Sequence, residues 1–142
     1  MDVKAAVAFG ADSMGGHGAL TLALKNPDLY TSVSAPMCAP WGKKAFPGYL
    51  GTEEALWREH DARELVRERP FADGRTILVD QGTEDEFLAE RLYPEVLEGA
   101  CHEAGQPLTL RRREGYDHGY YFISTFMEDH VRHHAETLVG SA

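Results

Sequence analysis

The run Val7-Ala8-Phe9-Gly10-Ala11-Asp12-Ser13-Met14-Gly15-Gly16-His17-Gly18-Ala19-Leu20 constrains this chain more than any other stretch. An apolar, β-type segment breaks at a corner of small residues and resumes with helical character. Glycines at such a corner leave room for a backbone path that side chains would block, and the turn lifts the Ser13 hydroxyl clear of the main chain. That is the shape of a nucleophile elbow. The pattern G-x-S-x-G reads here as Ala11-x-Ser13-x-Gly15, with the smallest side chain in place of the first glycine.

A serine hydroxyl is a weak nucleophile at neutral pH until a base takes its proton, and the base needs a partner to orient it. Both candidates lie downstream. Thr76-Ile77-Leu78-Val79-Asp80 is a β-rich run that ends in the polar loop Gln81-Gly82-Thr83-Glu84-Asp85-Glu86, where Asp85 is the candidate acid. Asp80, Glu84 and Glu86 stay open as alternatives for that role. Leu108-Thr109-Leu110 leads into Glu114-Gly115-Tyr116-Asp117-His118-Gly119, which puts His118, the candidate base, on a loop before the last helix. The chain order Ser, Asp, His is that of an α/β-hydrolase triad, and the Met14 amide, next after the serine at a helix start, is the oxyanion donor.

Strands and helices alternate along the whole chain. Val3 to Phe9 reads as a strand, Gly15 to Lys25 as a helix stopped by Asn26-Pro27, and Thr31 to Ala35 as a second strand. A Pro, Gly and aromatic loop from Ala39 to Gly51 precedes one or two short helices between Thr52 and Arg67. Arg75 to Asp80 is a third strand, Glu86 to Ala104 a long helix ending at Gly105, Leu108 to Arg112 a fourth strand, and Phe122 to Leu138 the closing helix. Alternating β and α units imply a small parallel sheet of about four strands flanked by helices, in one domain spanning residues 1–142.

Several longer strings carry a family resemblance. Ser-Met-Gly-Gly-His-Gly-Ala-Leu, Leu-Lys-Asn-Pro, Pro-Trp-Gly-Lys-Lys-Ala-Phe, Gly-Tyr-Leu-Gly-Thr, Asp-Gln-Gly-x-x-Asp-x-Phe-Leu, Gly-Tyr-Asp-His-x-Tyr-Tyr-Phe and His-x-Arg-His-His-Ala resemble S-formylglutathione hydrolase, also called esterase D. The resemblance runs from about Val3 to Leu138 and covers the C-terminal half of that family's fold. It implies a truncated α/β-hydrolase, a Ser13, Asp85 and His118 triad, and hydrolysis of a glutathione formyl thioester or short activated esters. Lys43 and Lys44 beside Trp41 could then meet a peptide carboxylate, with Trp41 and Lys44 as substrate-binding candidates. The departures concern the elbow, where the family has Gly-His and this chain Ala11-Asp12, and the link Pro36-Met37-Cys38-Ala39, which is shorter here. The family's second oxyanion amide comes from a loop before the elbow strand, so a slow enzyme is expected unless another copy or a rebuilt loop replaces it.

Composition sets the remaining bounds. Fourteen Lys and Arg against 23 Asp and Glu give a formal net charge of −9, which argues against nucleic acid or an anionic membrane as partner. The run Arg111-Arg112-Arg113 reads as a solvated strand end or edge rather than a phosphate site. No stretch is apolar over the ~20 residues needed to span a bilayer, and neither Cys38 nor Cys101 sits in a ligand spacing, so reduced thiols and a cytoplasmic protein are expected. No cofactor is implied. His130, His133 and His134 have helical spacing but lack the Glu of a zinc-protease motif, so they read as structural rather than as metal ligands. The strand from Val3 to Phe9 is expected at an edge of the sheet, where it would recruit a second copy into a homodimer or higher oligomer. The alternative to an esterase is a catalytically impaired remnant or interaction module that keeps the triad by descent.

Overall fold

The computed structural model describes residues 6–10, 13–36 and 54–140. The expectations for Ala11, Asp12, Cys38, Trp41, Lys43 and Lys44 therefore lie outside the described residues. Four strands, β1 (Ala6–Phe9), β2 (Tyr30–Ala35), β3 (Ile77–Gly82) and β4 (Leu108–Arg113), form one sheet in the order β1-β2-β3-β4. Every pairing is parallel, with Ala8 beside Val33, Val33 beside Ile77 and Ile77 beside Leu108. Among the described residues β1 is an outer strand, as its sequence position implied. The helices are α1 (Ser13–Lys25), α2 (Glu54–Arg58), α3 (Ala62–Glu68), α4 (Pro94–Ala104) and α5 (Tyr120–Gly140).

Strand alternation explains how the helices divide between the two faces, since successive side chains point to opposite sides. Ala8, Val33, Ala35, Ile77 and Val79 point one way and join Leu20, Leu24, Leu65, Val66 and Leu97 from α1, α3 and α4 in the main core. Ser32, Ser34, Asp80, Arg111 and Arg113 point the other way and meet α5. The first face is apolar, while the second is held largely by hydrogen bonds and ion pairs. A smaller cluster of Phe122 and Ile123, with Tyr116, Phe126 and Met127 against it, seats the start of α5.

One element departs from the sequence reading. The long helix expected from Glu86 to Ala104 is two pieces, a wide turn at Leu88–Leu92 and then α4 from Pro94. Proline has no N–H to donate and its ring collides with the carbonyl four residues back, so it begins a helix and cannot continue one. Tyr93 takes up the break in a left-handed conformation, φ 43° and ψ 62°. Arg63, fully buried, holds this corner by donating from Nη2 to the carbonyls of Leu92 and Tyr93. The N-cap of α3 is Asp61, whose carboxylate accepts from the Arg63 amide at 2.9 Å.

The basic run on β4 is also corrected. Arg111 reaches Asp80 through Nε at 2.9 Å and Nη2 at 2.8 Å, Arg113 reaches Asp80 at 3.0 Å, and Arg112 pairs with Glu98 of α4 at 2.9 Å. Strand alternation sends the middle arginine to one face and its neighbours to the other, so these side chains are ion-paired rather than simply solvated.

Candidate active site

In a parallel sheet the C-terminal ends of all strands lie along one edge, which is where α/β folds place their ligands. Three candidate residues follow three such ends. Ser13 opens α1 just after β1, Asp85 follows β3, and His118 follows β4. Gly10 makes the first connection possible, because a Cβ there would overlap the backbone of Gly15 and Gly16. The end of β1 and the first turn of α1 thus approach closely at Gly10. Met14, the second residue of α1, has an exposed side chain and an amide in the first helical turn, where N–H groups have no partner within the helix.

The loops after β3 and β4 are stitched together. Thr83 donates its amide to the Arg113 carbonyl at 3.1 Å, Glu84 donates to the Tyr116 carbonyl at 2.9 Å, and the Gly115 amide donates to Thr83 Oγ1 at 3.0 Å. Gly82 permits this approach, since any Cβ there would strike the Tyr116 carbonyl. The result is a hydrogen bond of 2.7 Å between His118 Nδ1 and Asp85 Oδ2. A carboxylate can only accept, so Nδ1 is the donor here, and in the neutral ring the lone pair then lies on Nε2. The Asp85 side chain is fully buried and that of His118 only 17% exposed, which strengthens the pairing by excluding water.

The alternatives for the acid separate cleanly. Glu84 and Glu86 are exposed, and Asp80 points to the opposite face, where Oδ2 takes a hydrogen bond from His130 Nε2 at 2.7 Å. Burial alone would raise the Asp80 carboxyl, but the hydrogen bonds from His130 and Arg111 overcome it and hold the group below its ordinary value. His134, on the same helix, lies between Ser32 and Ser34, with Nδ1 2.6 Å from one hydroxyl and Nε2 2.8 Å from the other. His133 Nε2 donates to the Val33 carbonyl at 3.1 Å. All three histidines of the run are thus engaged with the sheet.

Two contacts at the site had no role in the sequence reading. Phe87 stands edge-on to the His118 ring, centroids 4.8 Å apart, and Gln81 Nε2 donates to Asp85 Oδ2 at 3.1 Å. Both residues fall within the Asp-Gln-Gly-x-x-Asp-x-Phe-Leu string, so the signal was present without an assigned function.

This sheet, with its helices and its edge of strand ends, is a truncated α/β-hydrolase fold. The model of the Esterase family, described as "Putative esterase", matches residues 2–133, and the chain belongs to that family. Within it, the chain is similar to the S-formylglutathione hydrolases of Bos taurus, 55% identical over 133 residues, and of Rattus norvegicus, 53% identical over 135 residues. Each match covers 89% of this chain and 47% of the relative, so the chain spans about half the length of these curated relatives. Among solved structures, an S-formylglutathione hydrolase from Agrobacterium tumefaciens superposes with a TM-score of 0.82 at 46% identity, covering 96% of this chain and 50% of the other. A ferulic acid esterase, at 23% identity and a TM-score of 0.64, shares the fold.

Proposed function

We propose that this chain is a serine esterase and thioesterase that hydrolyses short-chain acyl esters, with S-formylglutathione among its substrates, through an acyl-enzyme. Ser13 Oγ attacks the acyl carbonyl while His118 Nε2 takes its proton and then returns it to the leaving thiol or alcohol. Asp85 fixes the tautomer and stabilises the imidazolium that forms. The Met14 amide donates to the developing oxyanion, and one donor of this kind is worth about 10²–10³ in turnover.

The observation that carries this reading is the 2.7 Å bond between His118 and Asp85 in the loops after β4 and β3, on the strand-end edge that α1 also follows. The decisive test is a fluorophosphonate probe together with p-nitrophenyl acetate and S-formylglutathione assayed side by side. Labelling and hydrolysis that vanish in Ser13→Ala support the enzyme. Absence of labelling at any pH favours the remnant.

The same reading includes a second copy of the chain against β1, in a reducing, cytoplasmic setting. Supporting it, Phe9 is 39% and Val131 60% exposed, and both line an apolar cleft of about 320 Å³ between β1 and α5, with Val7, Met127, Ala135 and Leu138. Unpaired strand edges beside apolar surface favour association. Light scattering at micromolar concentration should give at least twice the chain mass, and a compact monomer would remove this part of the proposal.

A further inference from the structure

We infer that Gln81 is a positioning residue for the acid of the site, setting both the direction and the acceptor strength of the Asp85 oxygen that faces His118; this rests on the acyl-transfer reading above. Gln81 is 1% exposed at the end of β3. An amide in so dry a place is unfavourable unless its hydrogen bonds are made, and an aliphatic residue like its strand neighbours Ile77, Leu78 and Val79 would fill the space at lower cost. Its Nε2 lies 2.9 Å from the Gly82 carbonyl and 3.1 Å from Asp85 Oδ2. Both partners only accept, so the NH₂ end must point at them, and glutamate at this position could not serve either one while ionised.

The consequence falls on Asp85. Oδ1 accepts from the Phe87 amide at 2.8 Å, while Oδ2 accepts from His118 Nδ1 at 2.7 Å and from Gln81 at 3.1 Å. Donors on three different elements fix the carboxylate in one rotamer with Oδ2 toward the imidazole. The Gln81 donor also draws electron density from Oδ2, so its loss changes the His118 hydrogen bond itself. Gln81 thus acts through Asp85 and does not touch the reacting atoms.

The test compares Gln81→Met, which keeps length without a donor, and Gln81→Glu, which keeps shape, with Gln106→Met as a control. Gln106 is another buried glutamine, accepting from the Phe71 amide at 2.8 Å and remote from the site. Two readouts are taken, kinetics on p-nitrophenyl acetate and the low-field proton resonance of His118 Nδ1–H, assigned by its disappearance in His118→Ala. Both Gln81 variants should lower kcat about tenfold with KM within about twofold, as expected for loss of a hydrogen bond to a charged group that acts on the chemical step. Both should also displace the low-field resonance, whereas Gln106→Met leaves kcat and resonance in place. An unchanged kcat in either folded Gln81 variant overturns the proposal. If both variants fail to fold while Gln106→Met folds, Gln81 is a core residue and the proposal is equally overturned. Should Ser13→Ala hydrolyse as fast as the parent, the acyl-transfer reading falls instead, and the resonance alone then decides whether Gln81 governs the Asp85 to His118 bond.

Discussion

Asp80 and Asp85 stand five positions apart in the chain, and each holds a histidine through Oδ2 at 2.7 Å, His130 in one case and His118 in the other. They do so on different sides of the structure. Asp80 lies within β3 and faces α5, whereas Asp85 lies in the loop beyond the strand end and faces the loop after β4. Two similar pairs from one short segment therefore have separable consequences.

Asp85→Asn should leave the fold intact and remove most of the activity. An asparagine amide can present a donor to Nδ1, which favours the wrong tautomer, and a loss of about 10⁴ in kcat is the scale for that change in a serine triad. Kinetics on p-nitrophenyl acetate with circular dichroism as a fold control would measure it. A variant within a few-fold of the parent would remove Asp85 from the mechanism.

Asp80→Asn should do the reverse. Arg111 and Arg113 would lose the carboxylate that pairs them, and breaking a buried ion pair from one side costs about 3–5 kcal/mol. The urea midpoint should fall markedly, while kcat per folded molecule stays close to that of the parent. A midpoint unchanged by the substitution would contradict the anchoring role given to Asp80.

Stability should decline on mild acidification. Burial, with His133 and His130 nearby, pushes His134 down to about 4 from its ordinary 6.5. Between those values the unfolded chain binds a proton that the folded chain refuses, so stability is full above pH 6.5 and is lost as pH falls toward 4, by at most about 3 kcal/mol. His17 and His133, also lowered chiefly by burial, act in the same direction. Urea denaturation at pH 7 and pH 5 should show the loss, and His134→Gln should reduce it. Equal midpoints at both pH values would refute the assignment.

Gly10→Ala tests the elbow through its backbone alone. The added methyl would collide with the carbonyl of Gly15, so the start of α1 must shift. Overpacking of this kind costs roughly 1–3 kcal/mol. Both the melting temperature and the rate of fluorophosphonate labelling at Ser13 should fall, and labelling at the parental rate would show that the close approach is dispensable.

The strand and helix order was legible because the period of apolar residues and the Gly and Pro breaks record it directly, and Gly82 falls within the Asp-Gln-Gly string. The division of Leu88–Leu92 from α4 could have been read from Pro94, but the apolar pattern continued through it and masked the break. Gln81, Phe87 and Arg63 were harder. Each acts on a partner distant in sequence or held by a hydrogen bond with no fixed spacing, and a one-dimensional pattern carries no trace of that. The arginines of β4 misled for a related reason, since a basic run looks solvated until the opposing carboxylates of Asp80, Asp129 and Glu98 are brought against it.

Where α5 crosses β2, β3 and β4, its face is keyed by charge and hydrogen bonds rather than greased by aliphatic side chains. An oily interface tolerates sliding, because one methyl group replaces another at little loss. Here, advancing the helix by a single residue would rotate its contacts by about 100° and strand Asp80, His130 and His134 together. The helix that begins two residues beyond His118 is locked in phase with the strands, so the imidazole inherits its address from a ratchet that permits only one setting.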